Sequence, residues 1–217
     1  LTVVAAIVWF NRNRLKGEHH EASSIRHSLD LLRQPRFAFG ALCIFLYVGA
    51  EVSIGSLIVN YMQEPRVLGV DAGTAGSFIP YFWGGALIGR FIGSAVLAKV
   101  SPGKVLAFNA GGAIALLAIS VGSHGTLAAG SLLLVGLMNS IMFPTIFSLA
   151  SEGLGKRAAD GSGIINVAIF GGAVIPLLTG GVADMTGSLS TGLVLPALCY
   201  GVIAIFGWYA RRAVVVA

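Results

Sequence analysis

The chain has 217 residues, of which 56% are hydrophobic and only 11% are charged. Soluble domains average about 45–50% apolar and about 25% charged residues, so this composition excludes an ordinary soluble protein and indicates one that crosses a membrane. The net charge of +5 does not indicate nucleic-acid binding, because the basic residues are not clustered with interleaved aromatic ones.

The first element is the apolar stretch LTVVAAIVWF, residues 1–10. At a rise of about 1.5 Å per residue it covers half a bilayer, which predicts the end of a preceding transmembrane helix. A signal peptide would carry positive charges before its apolar stretch, whereas Arg12, Arg14 and Lys16 follow this one. Because no initiating Met is present either, we expect the chain to be a fragment of a longer protein, with helices missing upstream.

Residues 11–36 form the only extended polar stretch and are predicted to be a loop between two groups of helices. His19, His20 and His27 lie in it, but no Cys or carboxylate spacing supports metal ligation, so we predict neither a metal site nor a cofactor. Cys43 and Cys199 both lie in apolar runs, which favours buried thiols over a disulfide framework.

The rest of the chain holds five apolar segments long enough to cross a bilayer core of about 30 Å as helices. The last is too long for one crossing and is divided by Asp184 and the turn-rich residues 185–192, which gives six predicted helices. Pro144 and Pro176 fall inside two of them and predict kinks. The sequence thus predicts an all-α polytopic membrane protein with a six-helix bundle at residues 37–210 and a tail at residues 211–217. The apolar segments are 37–62, 72–98, 105–121, 127–149 and 161–208.

Lys and Arg residues are distributed unevenly between the two sides of the predicted bundle. Of the 14, 12 share one side, Arg66 lies on the other, and Arg90 lies inside a helix. Positive residues are enriched in cytoplasmic loops, so we expect the loop at residues 11–36 and the C-terminus to be cytoplasmic. The 12 are Arg12, Arg14, Lys16, Arg26, Arg33, Arg36, Lys99, Lys104, Lys156, Arg157, Arg211 and Arg212.

Gly85, Gly89 and Gly93 recur every four residues in the second apolar segment. Small residues at this spacing let a neighbouring transmembrane helix approach closely, where lipid supplies no hydrophobic drive. We therefore predict a helix-packing face at these glycines.

Four stretches of the chain resemble the fucose, galactose and glucose proton symporters of the major facilitator superfamily. The resemblance implies that residues 37–208 are helices seven to twelve of such a transporter, its C-terminal half, and that residues 1–10 close helix six. It also implies transport of a hexose or deoxyhexose with a proton by alternating access in the cell (inner) membrane, together with an N-terminal six-helix half. The stretches are YVGAEVSIGSLIVNY (47–61), GRFIGSAVLAKVSPGKVLAFNA (89–110), NSIMFPTIFSLA (139–150) and GSGIINVAIFGGAVIPLLTGGVAD (161–184).

Glu51 is the only charged residue between positions 37 and 62. It lies about 21 Å along its helix, where a charge facing lipid is costly, so we expect it to face the bundle interior or a water-filled cavity. Tyr47 and Gly55 share its helix face. Three roles are open: a sugar-hydroxyl acceptor, a proton carrier, or a protonated acid bonded to a neighbouring helix. The resemblance favours the first, since it places the proton-coupling carboxylates mainly in the N-terminal half.

Sugars present hydroxyl groups and an apolar ring face, so amides, carboxylates and aromatic rings suit a binding site for them. Asn139 lies about 18 Å along its helix, near the midplane, where transporters bind substrates and where an amide needs a partner. For each aromatic ring, packing or anchoring at the membrane interface is the alternative role. The candidate binding residues are Glu51, Tyr47, Asn139, Asn166, Tyr81 and Trp83.

Arg90, Lys99 and Lys104 lie toward the cytoplasmic end of the second predicted helix. The resemblance implies a conformational latch there. The acidic residue common in that family signature is absent between residues 89 and 104, so a latch would borrow Glu152 or Asp160 from the next cytoplasmic loop. The candidate cytoplasmic gate is therefore Arg90, Lys99 and Glu152, and the alternative is that the basic residues only fix the topology.

Three other classes of membrane protein are alternatives to a sugar symporter: an exporter, an enzyme and a non-transporting anchor. A multidrug or other small-solute exporter of the same superfamily would share the helices but have a broader, more apolar cavity. An enzyme is not indicated, because the sequence has no H-E-x-x-H motif, no paired acidic motif and no Ser or Cys with a nearby His base. A non-transporting membrane anchor would be favoured if no second half existed.

Overall fold

The computed structural model describes residues 2, 8–10 and 28–211 of the chain. The predicted helix end at residues 1–10 and the predicted loop, including His19, His20 and His27, therefore lie mostly outside the described residues. Within the described residues all regular structure is helical. The all-α class predicted from composition and hydropathy is confirmed.

Long and short helices follow one another through residues 28–211. The α-helices are α1 (Pro35–Gln63), α2 (Ala72–Gly76), α3 (Ile79–Leu97), α4 (Pro102–Gly122), α5 (Gly125–Asn139), α6 (Met142–Ser151), α7 (Ala158–Ala168), α8 (Gly171–Thr186), α9 (Leu189–Gly192) and α10 (Val194–Tyr209). Single turns of 3-10 helix at Asp30–Arg33 and Gly155–Arg157 precede α1 and α7.

Five helical stretches among the described residues are long and apolar enough to cross a membrane, which makes this an integral membrane protein. The segment predicted at residues 72–98 is not among them and is divided into α2 and α3. Pro80 accounts for the division, because it has no N–H to donate to the Gly76 carbonyl. α3 is 19 residues long and carries Arg90, whose charge lowers its mean hydropathy. The five stretches are Pro35–Gln63, Pro102–Gly122, Gly125–Ser151, Gly155–Thr186 and Leu189–Tyr209.

A proline also interrupts the helix predicted at residues 127–149. α5 ends at Asn139 and α6 begins at Met142, so residues 140–141 belong to neither helix. The cause is Pro144, which has no N–H to donate to the carbonyl of Ser140, four residues earlier. The distortion predicted near Pro144 is thus present as a full break. By contrast, α8 continues through Pro176, and the interruption before it falls at residues 169–170.

α1 is the central helix of the bundle and packs against α6, α8 and α10. Its crossing with α8 leaves no room for side chains at two glycines. A Cβ atom on Gly171 would collide with the carbonyl group of Phe45, and one on Gly49 would lie 2.9 Å from the carbonyl oxygen of Gly171. Such close backbone approach supplies packing contacts where lipid offers no hydrophobic drive.

α3 packs on α5 through the predicted glycine face. A Cβ atom on Gly89 would lie 2.6 Å from the carbonyl oxygen of Leu137, and one on Gly93 would collide with Ile141. Gly136 on α5 completes the contact, since a Cβ atom there would collide with the carbonyl group of Phe82. The predicted packing face is confirmed, and it holds α3 directly beside the α5–α6 break.

Each end of α1 is held by an arginine that also contacts other helices. At the N-terminal end, Arg36 pairs with Glu152 and donates to backbone carbonyls at the ends of α6 and α10. The dipoles of α6 and α10 favour a cation at these C-terminal helix ends. Beyond the C-terminal end, Arg66 donates hydrogen bonds of 2.9 Å to Glu64 and to the Tyr61 hydroxyl. Burial alone would lower the pKa of Arg66, but its bonds with Glu64 and Tyr61 raise it.

Candidate functional site

Glu51 lies near the middle of α1 with its side chain partly buried. Its Oε1 atom accepts a hydrogen bond of 2.8 Å from the hydroxyl of Tyr47, one turn earlier on the same face. Arg90 on α3 lies near enough for its charge to act on this carboxylate. Among the described residues no side chain donates to Oε2.

Tyr47 is only 2% exposed, so it does not line a ligand-accessible surface in this conformation. Its hydroxyl lies 2.8 Å from Oε1 of Glu51 and 3.0 Å from the carbonyl oxygen of Asn139. Its ring packs at a tilt against Phe143, with 6.4 Å between the ring centroids. In this conformation Tyr47 contacts Glu51 and the residues around the α5–α6 break, and its part in a sugar site stays a prediction.

Asn139, the last residue of α5, is fully buried. Its Oδ1 atom accepts a hydrogen bond of 2.8 Å from the hydroxyl of Tyr200 on α10. Its Nδ2 atom has no hydrogen-bond partner among the described residues. The amide thus has one partner at mid-membrane, as expected, but it lies behind Tyr47 rather than on an open surface. Tyr200 was missed from the sequence, although a phenol in an apolar run also needs a partner.

Two backbone carbonyls at the α5–α6 break are each contacted by a side chain from another helix. Tyr47 of α1 reaches the Asn139 carbonyl, and Nε of Arg90 on α3 donates to the Ser140 carbonyl at 3.3 Å. Broken transmembrane helices depend on neighbours of this kind to satisfy freed backbone groups. Glu51, Tyr47, Arg90 and the break therefore form one connected polar site near the centre of the bundle.

The two aromatic candidates on α3 lie on different surfaces. Trp83 lies beside Gly55, one turn beyond Glu51: a Cβ atom added to Gly55 would be 3.5 Å from the Trp83 ring. Trp83 is 48% exposed. Tyr81 is 67% exposed and lies beside Phe78, in an open apolar groove. Trp83 thus shares the side of the bundle that carries Glu51, whereas Tyr81 does not.

Asn166 is exposed on α7, one turn before the interruption at residues 169–170. Its backbone carbonyl accepts a bond of 3.3 Å from the amide of Ile169. None of the described contacts joins Asn166 to Glu51 or to Asn139, so its part in a sugar site stays a prediction.

The three residues predicted for a cytoplasmic gate are not joined in this structure. Glu152 pairs with Arg36, Arg90 binds the Ser140 carbonyl, and Lys99 is exposed just beyond α3. Arg36 was missed as the partner of Glu152, because 116 residues separate the two in sequence. No group of His, Cys, Asp or Glu suited to a metal ion occurs among the described residues.

Comparison with known proteins identifies similar chains of known class. Residues 1–176 match the family model of the Major Facilitator Superfamily. The chain is 52% identical over 168 residues to a glucose/galactose transporter of Brucella abortus. The aligned region covers 77% of this chain and 40% of that protein. It is 35% identical over 191 residues to the L-fucose-proton symporter of Escherichia coli. That alignment covers 87% of this chain and 43% of the symporter.

Solved structures show the same similarity. The structure of the E. coli fucose:proton symporter, FucP, superposes with a TM-score of 0.86 at 32% identity, over 98% of this chain and 54% of that one. A second FucP structure, in an outward conformation, gives a TM-score of 0.83 at 33% identity, over 90% of this chain and 48% of that one. The chain spans about 40% of the length of the curated relatives it matches.

Proposed function

This chain belongs to the major facilitator superfamily, and we propose that it is the C-terminal half of a proton-coupled symporter for glucose, galactose or fucose. The relatives are more than twice as long as the matched region, which supports a partner half of six further helices. Transport then proceeds by alternating access, with the substrate site near the midplane between the two halves.

The observation that carries this proposal is the partly buried carboxylate of Glu51 near the middle of α1, with the Trp83 ring on the same side of the bundle. A carboxylate accepts hydrogen bonds from sugar hydroxyls, and an aromatic face packs on the apolar face of a sugar ring. We assign sugar binding to Glu51 and Trp83, and we keep Asn139 and Tyr47 as supporting residues behind them.

The coupled proton is assigned to carboxylates of the other half. Glu51 is the only acidic residue in the interior of a described membrane-spanning helix, since Asp160 and Asp184 lie close to the ends of α7 and α8. With that single carboxylate accepting sugar hydroxyls, this half retains no second acid at mid-membrane to carry a proton. The gate formed by Arg90, Lys99 and Glu152 is retained as a proposal for a different conformation of the transporter.

Sugar binding by the complete transporter is the direct test of this function. Purified transporter should bind D-glucose, D-galactose or L-fucose in an equilibrium assay and should show little affinity for lipophilic cations such as tetraphenylphosphonium. The reverse preference would support the alternative, a multidrug exporter of the same superfamily, and would refute the sugar symporter.

Orientation in the inner membrane gives a second prediction. The end of the bundle that carries Lys156 is assigned to the cytoplasm, because positive residues are enriched there. In a variant that lacks Cys43 and Cys199, a cysteine at the exposed residue Asp71 should react with an impermeant thiol reagent added to intact cells. A cysteine at Lys156 should react only after the cells are permeabilised. Labelling of Lys156→Cys alone in intact cells would reverse the assigned topology.

A further inference from the structure

We propose that Tyr47 is a positioning residue that transmits the state of Glu51 to the α5–α6 break. This inference rests on the proposed sugar site and adds a conformational consequence to it. The buried Tyr47 hydroxyl lies between Oε1 of Glu51 at 2.8 Å and the carbonyl oxygen of Asn139 at 3.0 Å. The contact with Glu51 orients the carboxylate, and the contact with Asn139 reaches the end of α5.

The chemistry of a phenol makes these two contacts compete. A tyrosine hydroxyl has one hydrogen, so it can donate to only one of the two oxygens at a time. While Glu51 is ionised and unliganded, the charge-assisted bond to the carboxylate is the stronger one and holds the hydrogen. When a sugar hydroxyl donates to Glu51, the carboxylate becomes a weaker acceptor for Tyr47. The hydrogen then turns to the Asn139 carbonyl.

The Asn139 carbonyl lies at the break, within reach of that hydrogen. α5 ends at Asn139 and α6 begins only at Met142, so this carbonyl lies where the helical hydrogen-bond ladder is interrupted. The Asn139 side chain is fully buried, and a buried carbonyl without a donor carries a free-energy penalty. The position of one hydrogen on Tyr47 therefore shifts the stability of the broken segment.

Arg90 supplies a second link between the same two places. Its Nε atom donates to the Ser140 carbonyl, which Pro144 leaves without an intrahelical donor. Its charge also acts on both Glu51 and Tyr47. One carbonyl of the break is thus contacted by Tyr47, which also bonds to Glu51, and the other by Arg90. α6 extends from the break toward Glu152, which Arg36 holds at the far end, so a change at the break reorients α6 against α1.

Hydrogen exchange measured by mass spectrometry on the complete transporter tests this relay without a sugar. Glu51→Gln removes the charge that holds the Tyr47 hydrogen, so amide exchange in residues 139–146 should slow by about 2- to 10-fold, the equivalent of one net hydrogen bond. In a Tyr47→Phe background, which keeps the ring beside Phe143, Glu51→Gln should leave exchange in this segment unchanged.

Two further variants separate the relay from general loosening of the bundle. Tyr200→Phe removes the other phenol that binds Asn139 but does not touch Glu51, so in that background the response to Glu51→Gln should persist. Pro144→Ala restores an amide in α6 and favours a continuous helix, so it should abolish the response while Tyr47 is intact. An unchanged response in Tyr47→Phe, or no response in the otherwise unmodified protein, would overturn the relay.

Saturating D-galactose then links the relay to the proposed function. Sugar should slow exchange in residues 139–146 of the unmodified transporter. In Tyr47→Phe, at a D-galactose concentration that saturates the variant's own binding curve, sugar should leave exchange in this segment unchanged. If D-glucose, D-galactose and L-fucose all fail to bind the unmodified transporter, the proposed function is wrong, and the sugar-free comparison still decides the relay on its own.

Discussion

Gly136→Ala is expected to destabilise the bundle by about 3 kcal/mol or more, at the upper end of what an added methylene costs in a packed core. The new Cβ atom would collide with the carbonyl group of Phe82 on α3, and backbone atoms cannot move aside as a flexible side chain can. α3 would have to separate from α5, which would also loosen the contact between Gly89 and Leu137. The measurement is the yield of monodisperse protein after detergent extraction, together with its thermal unfolding midpoint.

Gly130→Ala is the matched control, because it makes the same change six residues earlier on the same helix. A Cβ atom on Gly130 would meet no other atom within 4 Å. Alanine also has a better helix propensity than glycine by about 1 kcal/mol, so this variant should be at least as stable as the unmodified protein. Equal behaviour of the two variants would mean that the α3–α5 contact does not depend on close backbone approach.

Glu51→Gln has the largest expected effect on function. In the complete transporter, the amide keeps the shape of the side chain and one acceptor oxygen but loses the charge-assisted bonds to sugar hydroxyls. Sugar affinity should fall by about 1.5–3 kcal/mol, roughly tenfold to somewhat over a hundredfold. Equilibrium binding of D-galactose measures the loss. Ser56→Ala is the control: Ser56 is an exposed polar residue on another face of α1 that bonds only to the Ser53 carbonyl among the described residues, and it should bind sugar normally.

The same variant distinguishes the other roles of Glu51. If Glu51 carries the coupled proton, sugar binding and exchange across the membrane should persist while uphill accumulation driven by a proton gradient is lost. If Glu51 is a neutral acid with a purely packing role, glutamine can keep the bond with Tyr47 and every assay should give unmodified values. Binding, counterflow and proton-driven uptake measured together on Glu51→Gln therefore separate all three.

The features predicted correctly from the sequence depend on local composition. A run of about 20 apolar residues marks a membrane-spanning helix whatever its neighbours are, because the bilayer sets its length. A charged residue inside such a run is conspicuous for the same reason, and this identified Glu51. The bond between Tyr47 and Glu51 also followed from local geometry, since residues four apart share a helix face. Likewise, Pro144 predicted a distortion where α5 and α6 are interrupted, because the missing donor lies in the chain itself, although the same rule predicted a kink at Pro176, through which α8 continues.

The partners of these residues in other helices were decided only by the tertiary structure. Arg90 was assigned to a cytoplasmic gate, but the crossing of α3 with α5 places its guanidinium on the Ser140 carbonyl. Asn139 was predicted from its depth in the membrane to need a partner, and the packing of α5 against α10 decided that this partner is Tyr200, 61 residues away. The glycine period predicted that α3 has a packing face, but it named neither the partner helix nor the side chains brought together there. Interhelical hydrogen bonds join residues far apart in the chain and leave no periodic signal in a single sequence. The sequence by itself therefore determined five of the six predicted spans and the carboxylate near the middle of α1, while the packed helices decided which groups bind it.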